Sequence, residues 1–506
     1  MGLAALRQRK HYSEKGVMTQ QNDRRQHEGR GNEGENAMSN ELNRMTLSQL
    51  APKIRSRQIS PVELTRAVLE EIEKLDPVLN AYITVDAEGA LQAARTAQRK
   101  IARGDYRGPL HGIPISLKDL FDTQGMRTTA GSKILSDRIP GEDATCVARL
   151  RAAGAIIVGK TNLHEFAFGS TTQNPHFGGT RNPYNADRIP GGSSGGSAVA
   201  VAADMCIAST GSDTGGSIRT PSALCGIVGL KPTYGRVSLH GIVPLSWSLD
   251  HVGPMTKCVR DAAILLTVMA GYDPMDPASA GEKVPGFARA LKNDVKKLKI
   301  GIVPAFCFGG VDDEVAAAIR NALALLESLG ARVVEVNLPN IELTSLVESI
   351  LITAEAAAYH EHNLRHRGED YGRDVRALLE VGSALTAVHY VKAQRLRRMI
   401  QQEFAEAFRK IDIFALPAAP VTAPRIGAET VSIGGVETDL PMALLRFACP
   451  ANLTGLPAIS VPCGLSKDGL PIGLQLMGRA FDEATVLRAA YTFETHSEPI
   501  PKPRIA

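Results

Sequence analysis

From Leu47 onward, short apolar runs alternate with stretches of helical periodicity. Ser60-Pro61-Val62-Glu63 has the form of a capping box with proline at the first helical position. Leu64, Val68, Ile72 and Leu75 follow at helical spacing, and Asp76-Pro77 is predicted to stop the run. Further helical patterns cover Ala87–Ala102, Asp313–Leu329 and Ala384–Phe408. Strand-like runs are Ile113–Leu117, Ala155–Val158, Met205–Ala208, Leu298–Val303, Arg332–Val336, Asp412–Leu416, Ala458–Pro462 and Gly473–Met477. Strands alternating with helices predict an α/β protein with a largely buried mixed sheet. The Pro-, Gly-, Ala- and Asp-rich stretch 270–295 reads as a connection between two halves.

Composition narrows the classes. The chain has 506 residues, 44% hydrophobic and 22% charged, which excludes collagen, coiled coil and wholesale disorder. Lys plus Arg number 57 against 53 Asp plus Glu, and no basic stripe stands out, so nucleic acid is not the expected direct partner. No apolar run approaches the ~18–20 residues of a membrane helix, so no membrane association is expected. Residues 1–44 are predicted to be a disordered polar leader without a secretory h-region, with Met18 and Met38 as alternative starts, and 45–506 a single domain. Seven scattered cysteines without a C-x-x-C argue against a disulfide framework or structural zinc and fit a reducing cytoplasm. Nor do the twelve histidines show metal-ligand spacing; His360-Glu361-His362 lacks the i, i+4 geometry of a zinc helix.

Candidate chemistry is concentrated between 112 and 220. Gly112-Ile113-Pro114-Ile115-Ser116-Leu117-Lys118-Asp119 sets a lysine at the end of an apolar strand. Desolvation there would lower its pKa and fit it to act as a base. On this segment alone a lysine that reaches solvent and pairs with Asp119 is the simpler reading. Gly191-Gly192-Ser193-Ser194-Gly195-Gly196-Ser197 leads into a run of small residues and would offer free N–H groups at a helix start. It lacks the Walker lysine, and although it matches G-x-S-x-G, no strand precedes it as a nucleophile elbow requires. In Gly211-Ser212-Asp213-Thr214-Gly215-Gly216-Ser217, two glycines before Ser217 suit an oxyanion hole, while a plain glycine turn with a surface serine remains open.

Lys118, Ser193 and Ser217 in these contexts resemble the amidase signature family, whose catalytic unit is a Ser–cis-Ser–Lys triad. Gly229–Arg236, Ser248–Met255 and Asn452–Pro457 share the resemblance, which runs from about 45 to 500 with its core at about 112–260. It implies a central mixed, twisted sheet covered by helices on both faces. It further implies Ser217 as nucleophile of an acyl-enzyme, Ser193 as a cis-linked relay, neutral Lys118 as base, and the N–H groups of Thr214, Gly215, Gly216 and Ser217 around the oxyanion. Asp213 and Arg219 would brace the loop, and neither metal nor cofactor is implied. Variable family positions suggest Phe166, Gly169, Phe306, Phe447 and Asn452 as an apolar substrate pocket, with Arg376 meeting a substrate carboxylate.

Two activities fit the resemblance: a hydrolase of a carboxylic amide, with ester or carbamate as side substrates, and the glutaminase subunit of a tRNA-dependent amidotransferase. That subunit's pattern has Asp at His164, Gln at His251 and an arginine-led run at Arg376-Ala377-Leu378-Leu379. These departures favour the free-standing hydrolase, whose expected partner is a small-molecule amide, with room for a homodimer. With all three triad positions filled, a binding protein with a degenerate site is disfavoured.

Overall fold

Residues 42–505 are described by a computed structural model. The predicted leader lies outside the described residues except at 42–44, where Asn43 is already buried and its carbonyl accepts from Lys257. The capping box forms: Ser60 N–H donates to Glu63 Oε2 at 3.1 Å and Ser60 Oγ accepts from Val62 N–H at 3.0 Å. Its helix, Pro61–Leu79, buries Leu64, Val68, Ile72 and Leu75 but runs past the predicted stop at Pro77. Pro77 sits in the last turn, and the stop comes from Asn80 in the left-handed region at φ 50°. Asp76 Oδ1 accepts the N–H groups of Ala81 and Tyr82 at 2.7 and 3.1 Å, turning the chain into the edge strand Tyr82–Val85.

Eleven strands among the described residues form one mixed sheet. Its order is Tyr82–Val85, Ile156–Thr161, Pro114–Lys118, Ala208–Ser212, Val252–Thr256, Val228–Lys231, Ala458–Leu465, Pro471–Met477, Ile413–Pro417, Lys299–Ile302 and Arg332–Glu335. Helices cover both faces, among them Gly195–Ala202, Val259–Met269 and Glu483–His496. The stretch 270–295 carries only the short helix Phe287–Ala290, and the sheet continues on both sides of it, so the two halves share one core. No helix among the described residues is long and apolar enough to cross a membrane.

Pro114–Lys118 and Ala208–Ser212 run parallel, with Ile115 beside Ala208 and Ser116 beside Ser209. Their carboxyl ends therefore open onto the same edge, the usual place for ligands in α/β sheets. The strand predicted at Met205–Ala208 begins instead at Ala208 and reads Ala-Ser-Thr-Gly-Ser. Its hydroxyl side chains are buried between neighbours: Ser209 Oγ donates to the Ser116 carbonyl at 3.1 Å, while Thr210 Oγ1 has no hydrogen-bond partner among the described residues. A strand whose apolar side chain is a single alanine leaves no period-two hydrophobic signal.

Some strand contacts are too close for any side chain. A Cβ on Gly253 would lie 2.0 Å from the Leu230 carbonyl oxygen of the paired strand. Gly253→Ala is expected to lower stability by about 1–3 kcal/mol through forced backbone displacement. Gly281→Ala, where a Cβ would meet nothing within 4 Å, is expected to leave the thermal midpoint unchanged. Parallel thermal melts of the two variants check this.

Candidate active site

Lys118 ends its strand fully buried, at 0% exposure. Its Nζ lies 2.7 Å from Ser193 Oγ and 2.8 Å from both Ser194 Oγ and Ser212 Oγ. Burial pushes its pKa well below the usual lysine value, while the Asp213 and Asp250 carboxylates pull the other way. Asp119 faces away: it accepts the Thr129 N–H at 2.9 Å and pairs with Lys160 at 3.3 Å. A solvent-reaching Lys118–Asp119 pair therefore does not form.

The three hydroxyls around Nζ are not equivalent. Ser194 Oγ donates to the Ser212 carbonyl at 3.1 Å, so toward Lys118 it acts as an acceptor. Ser193 carries no such donation and can pass its proton to a neutral amine. The Gly192–Ser193 peptide bond is cis. Ser193's carbonyl accepts from His164 N–H at 3.1 Å, and Ser194 N–H donates to the Ser217 carbonyl at 3.2 Å, tying the two serine loops together. The glycines of this loop answer to packing: a Cβ on Gly196 would come within 2.4 Å of the Asn162 carbonyl oxygen.

Ser217 lies in the loop after strand Ala208–Ser212 and is 8% exposed. The loop is braced from within. Asp213 accepts from Arg219 Nε and Nη2 at 2.9 and 2.8 Å and from the Gly216 and Ile218 N–H groups at 2.9 and 3.2 Å. Although burial opposes ionisation, the Arg219 guanidinium holds Asp213 well below the ordinary carboxylate range. Arg219 also donates to Ala448 O, Gln475 Oε1 and Asn452 Oδ1, so its N–H groups are fully engaged. Thr214 Oγ1 donates to Asp250 Oδ1 at 2.6 Å, and burial pushes the Asp250 carboxyl up to about 6. Of the four amides expected around an oxyanion, that of Gly216 is thus taken by Asp213. Those of Thr214, Gly215 and Ser217 have no partner among the described residues.

The expected pocket residues separate. Phe306 and Phe447 pack edge to face at 5.2 Å, and Ala448, next in the chain, sits where a Cβ on Gly216 would come within 2.5 Å. Phe166 packs on His360 at 4.3 Å and Tyr371 at 5.7 Å. Gly169 lies against the His164 ring, where a Cβ would come within 2.3 Å of Nε2. Asn452 is drawn into the brace, donating to Asp213 Oδ1 at 2.9 Å. Arg376 is not brought to the site: it pairs with Glu369 and Glu380 at 2.5 and 2.8 Å on the surface. Sequence reasoning gave no role to Ser194 and Ser212, which hold Nζ. It also passed over Glu348, whose carboxyl reaches the loop: Oε1 lies 2.7 Å from where a Gly215 Cβ would sit.

Comparison with known proteins gives the family. The Amidase family profile matches residues 63–487. A glutamyl-tRNA(Gln) amidotransferase subunit of Trichlorobacter lovleyi is 46% identical over 479 residues, covering 90% of this chain and 97% of that one. The solved glutamyl-tRNA(Gln) amidotransferase subunit from Thermotoga maritima superposes with a TM-score of 0.78 at 37% identity, covering 92% of this chain and 98% of that one. A chain solved in work on a vestigial protein complex and the evolutionary origins of an s-triazine catabolic enzyme gives 0.87 at 34% identity, covering 90% and 100%. Relatives named as one subunit of an amidotransferase overturn the expectation that a small-molecule amide, with at most a second copy, is the whole set of partners. Profile, relatives and superposition together place the chain in the amidase signature family.

Proposed function

We propose that the chain hydrolyses the side-chain amide of glutamine through an acyl-enzyme on Ser217, as the ammonia-releasing subunit of an amidotransferase. The 46% identity over nearly the full length of a glutamyl-tRNA(Gln) amidotransferase subunit carries this reading. The chemistry follows from the site. Ser217 Oγ attacks the amide carbonyl while its proton passes through Ser193 to neutral Lys118. The N–H groups of Thr214, Gly215 and Ser217 hold the developing oxyanion. Collapse breaks the C–N bond, and Lys118 returns the proton through Ser193 to the leaving nitrogen, releasing ammonia. Water then attacks the acyl-enzyme by the same relay, freeing the acid and Ser217. On this reading the chain works in the cytoplasm, where its seven free cysteines stay reduced.

A second reading, an amidase acting on an amide without a carboxylate, draws on one observation. Beside Gly215 the nearest side chains are Leu445 and the Glu348 carboxyl, and Arg376, the arginine expected to meet a substrate carboxylate, is paired on the surface instead. The test is ammonia or amine release by the chain isolated from its own cells with whatever other subunits accompany it. Glutamine, pentanamide, an anilide and a carbamate are compared. A heteromeric assembly that prefers glutamine by at least tenfold is expected. An isolated chain that leaves glutamine intact and cleaves a neutral amide would replace the first reading by the second.

A further inference from the structure

Glu348, on the helix Thr344–Arg367, is 1% exposed, and neither carboxyl oxygen has a hydrogen-bond partner among the described residues. A buried carboxyl without a donor is costly and calls for an explanation. The neighbouring cations do not supply one, and buried Lys231 directs its Nζ to the Pro232 carbonyl at 3.0 Å. Arg219 is saturated by Asp213, Ala448, Gln475 and Asn452. Arg397 directs Nε, Nη1 and Nη2 to the Leu453 carbonyl, Ser248 Oγ and the Ser248 carbonyl at 2.9, 2.9 and 2.8 Å. The Cys449 thiol beside it is a weak donor. Burial pushes the Glu348 carboxyl well above the usual carboxylate range, with Cys449 and Arg219 opposing and Asp213 adding to the rise. Yet the group is aimed at the reacting loop: Oε1 lies 2.7 Å from the position a Gly215 Cβ would take, two residues before Ser217, with Leu445 Cδ2 at 2.9 Å from the same point. Gly215 lacks a side chain where the carboxyl needs the room.

We propose that Glu348 is a specificity residue that accepts hydrogen bonds from an amine or ammonium on the acyl portion of the substrate. The inference rests on the reading of Ser217 as the amide-cleaving nucleophile and adds which substrates the pocket selects. An incoming ammonium would supply the missing donors and hold the carboxyl ionised. Leu445 beside it would line the carbon chain that joins the amine to the scissile carbonyl.

The experiment compares 4-aminobutanamide with its carbon isostere pentanamide, and includes glutamine, in the wild-type protein and in Glu348→Gln. The wild type is expected to favour 4-aminobutanamide in kcat/KM by about 10- to 100-fold, the range of a hydrogen bond to a charged group. Glu348→Gln is expected to remove that preference and leave pentanamide turnover within about twofold. Equal turnover of the isosteres by the wild type, or an equal loss for both in Glu348→Gln, would overturn the proposal. Should Glu348→Gln fail to fold, the wild-type ratio decides. Binding of the two amides to Ser217→Ala by calorimetry gives a readout independent of cleavage, with the same preference expected. Glutamine left intact alongside a Glu348-dependent preference would sink the glutaminase reading and keep this one. Glutamine cleaved with no effect of Glu348 would do the reverse.

Discussion

Ser217→Ala is expected to lower kcat/KM for any cleaved amide by roughly 10⁶-fold, the scale seen when a serine nucleophile is removed from a preorganised site. Fold and stability should survive. Ser217 Oγ makes no hydrogen bond among the described residues that its loss would orphan, and the loop is held by Asp213, Arg219 and Asn452. Ser193→Ala is expected to fall less far, since it removes the relay and leaves the nucleophile in place. Near-equal melting curves with a large rate loss in Ser217→Ala separate chemistry from folding. A Ser217→Ala protein within tenfold of wild type would move the nucleophile elsewhere, with Ser193 the first alternative.

Lys118 carries the second large effect. In the proposed relay neutral amine is the active form, so kcat/KM should rise with pH as the lysine loses its proton, giving an acid limb. Burial places that limb well below the ordinary lysine range, and Asp213 and Asp250 limit how far it falls. Lys118→Ala is expected to erase the limb and to cost about 10²–10⁴-fold, the usual worth of a positioned base. Lys118→Arg should be as inactive, because a guanidinium keeps its proton and cannot accept one from Ser193. Asp250, raised by burial to about 6, is the rival source of an acid limb. Glu348, also raised by burial, is a third candidate. The test is Asp250→Asn and Glu348→Gln in turn: a limb that persists in both belongs to Lys118, and one that vanishes belongs to the carboxyl replaced. Substantial activity in Lys118→Arg with an unchanged limb would remove lysine from the mechanism.

Where the sequence was legible, a local physical rule applied. The capping box at Ser60 and the helix Ala87–Ala102 follow from side chains acting within one turn. The strands at 114–118 and 156–161 follow from apolar runs. Tyr82–Val85, Val228–Lys231 and Val252–Thr256 were missed because each is short, and the last two contain glycine, with proline also in the last. Lys118, Ser193 and Ser217 were singled out through the family resemblance that the strand-end lysine and two glycine-rich loops carry, and the structure sets Lys118 Nζ 2.7 Å from Ser193 Oγ. Ser212, which contacts Lys118 Nζ, was hidden because it belongs to a strand built of small residues. Arg376 carries a local signal of a surface residue. Glu380 follows it at i+4, the spacing of a surface helical pair, so a solvated arginine was the simpler reading. Glu348 left no trace, since its meaning depends on long-range packing against Gly215.

The covalent intermediate offers the most direct measurement. Enzyme quenched during turnover of a slow amide is cleaved at aspartate, and Asp204 and Asp213 lie between the two serines and separate their peptides. Mass spectrometry is expected to find the acyl group on the peptide that contains Ser217, and to find none in Ser217→Ala. An acyl group on the Ser193 peptide, or turnover with no acylated serine at all, would contradict the Lys118–Ser193–Ser217 relay.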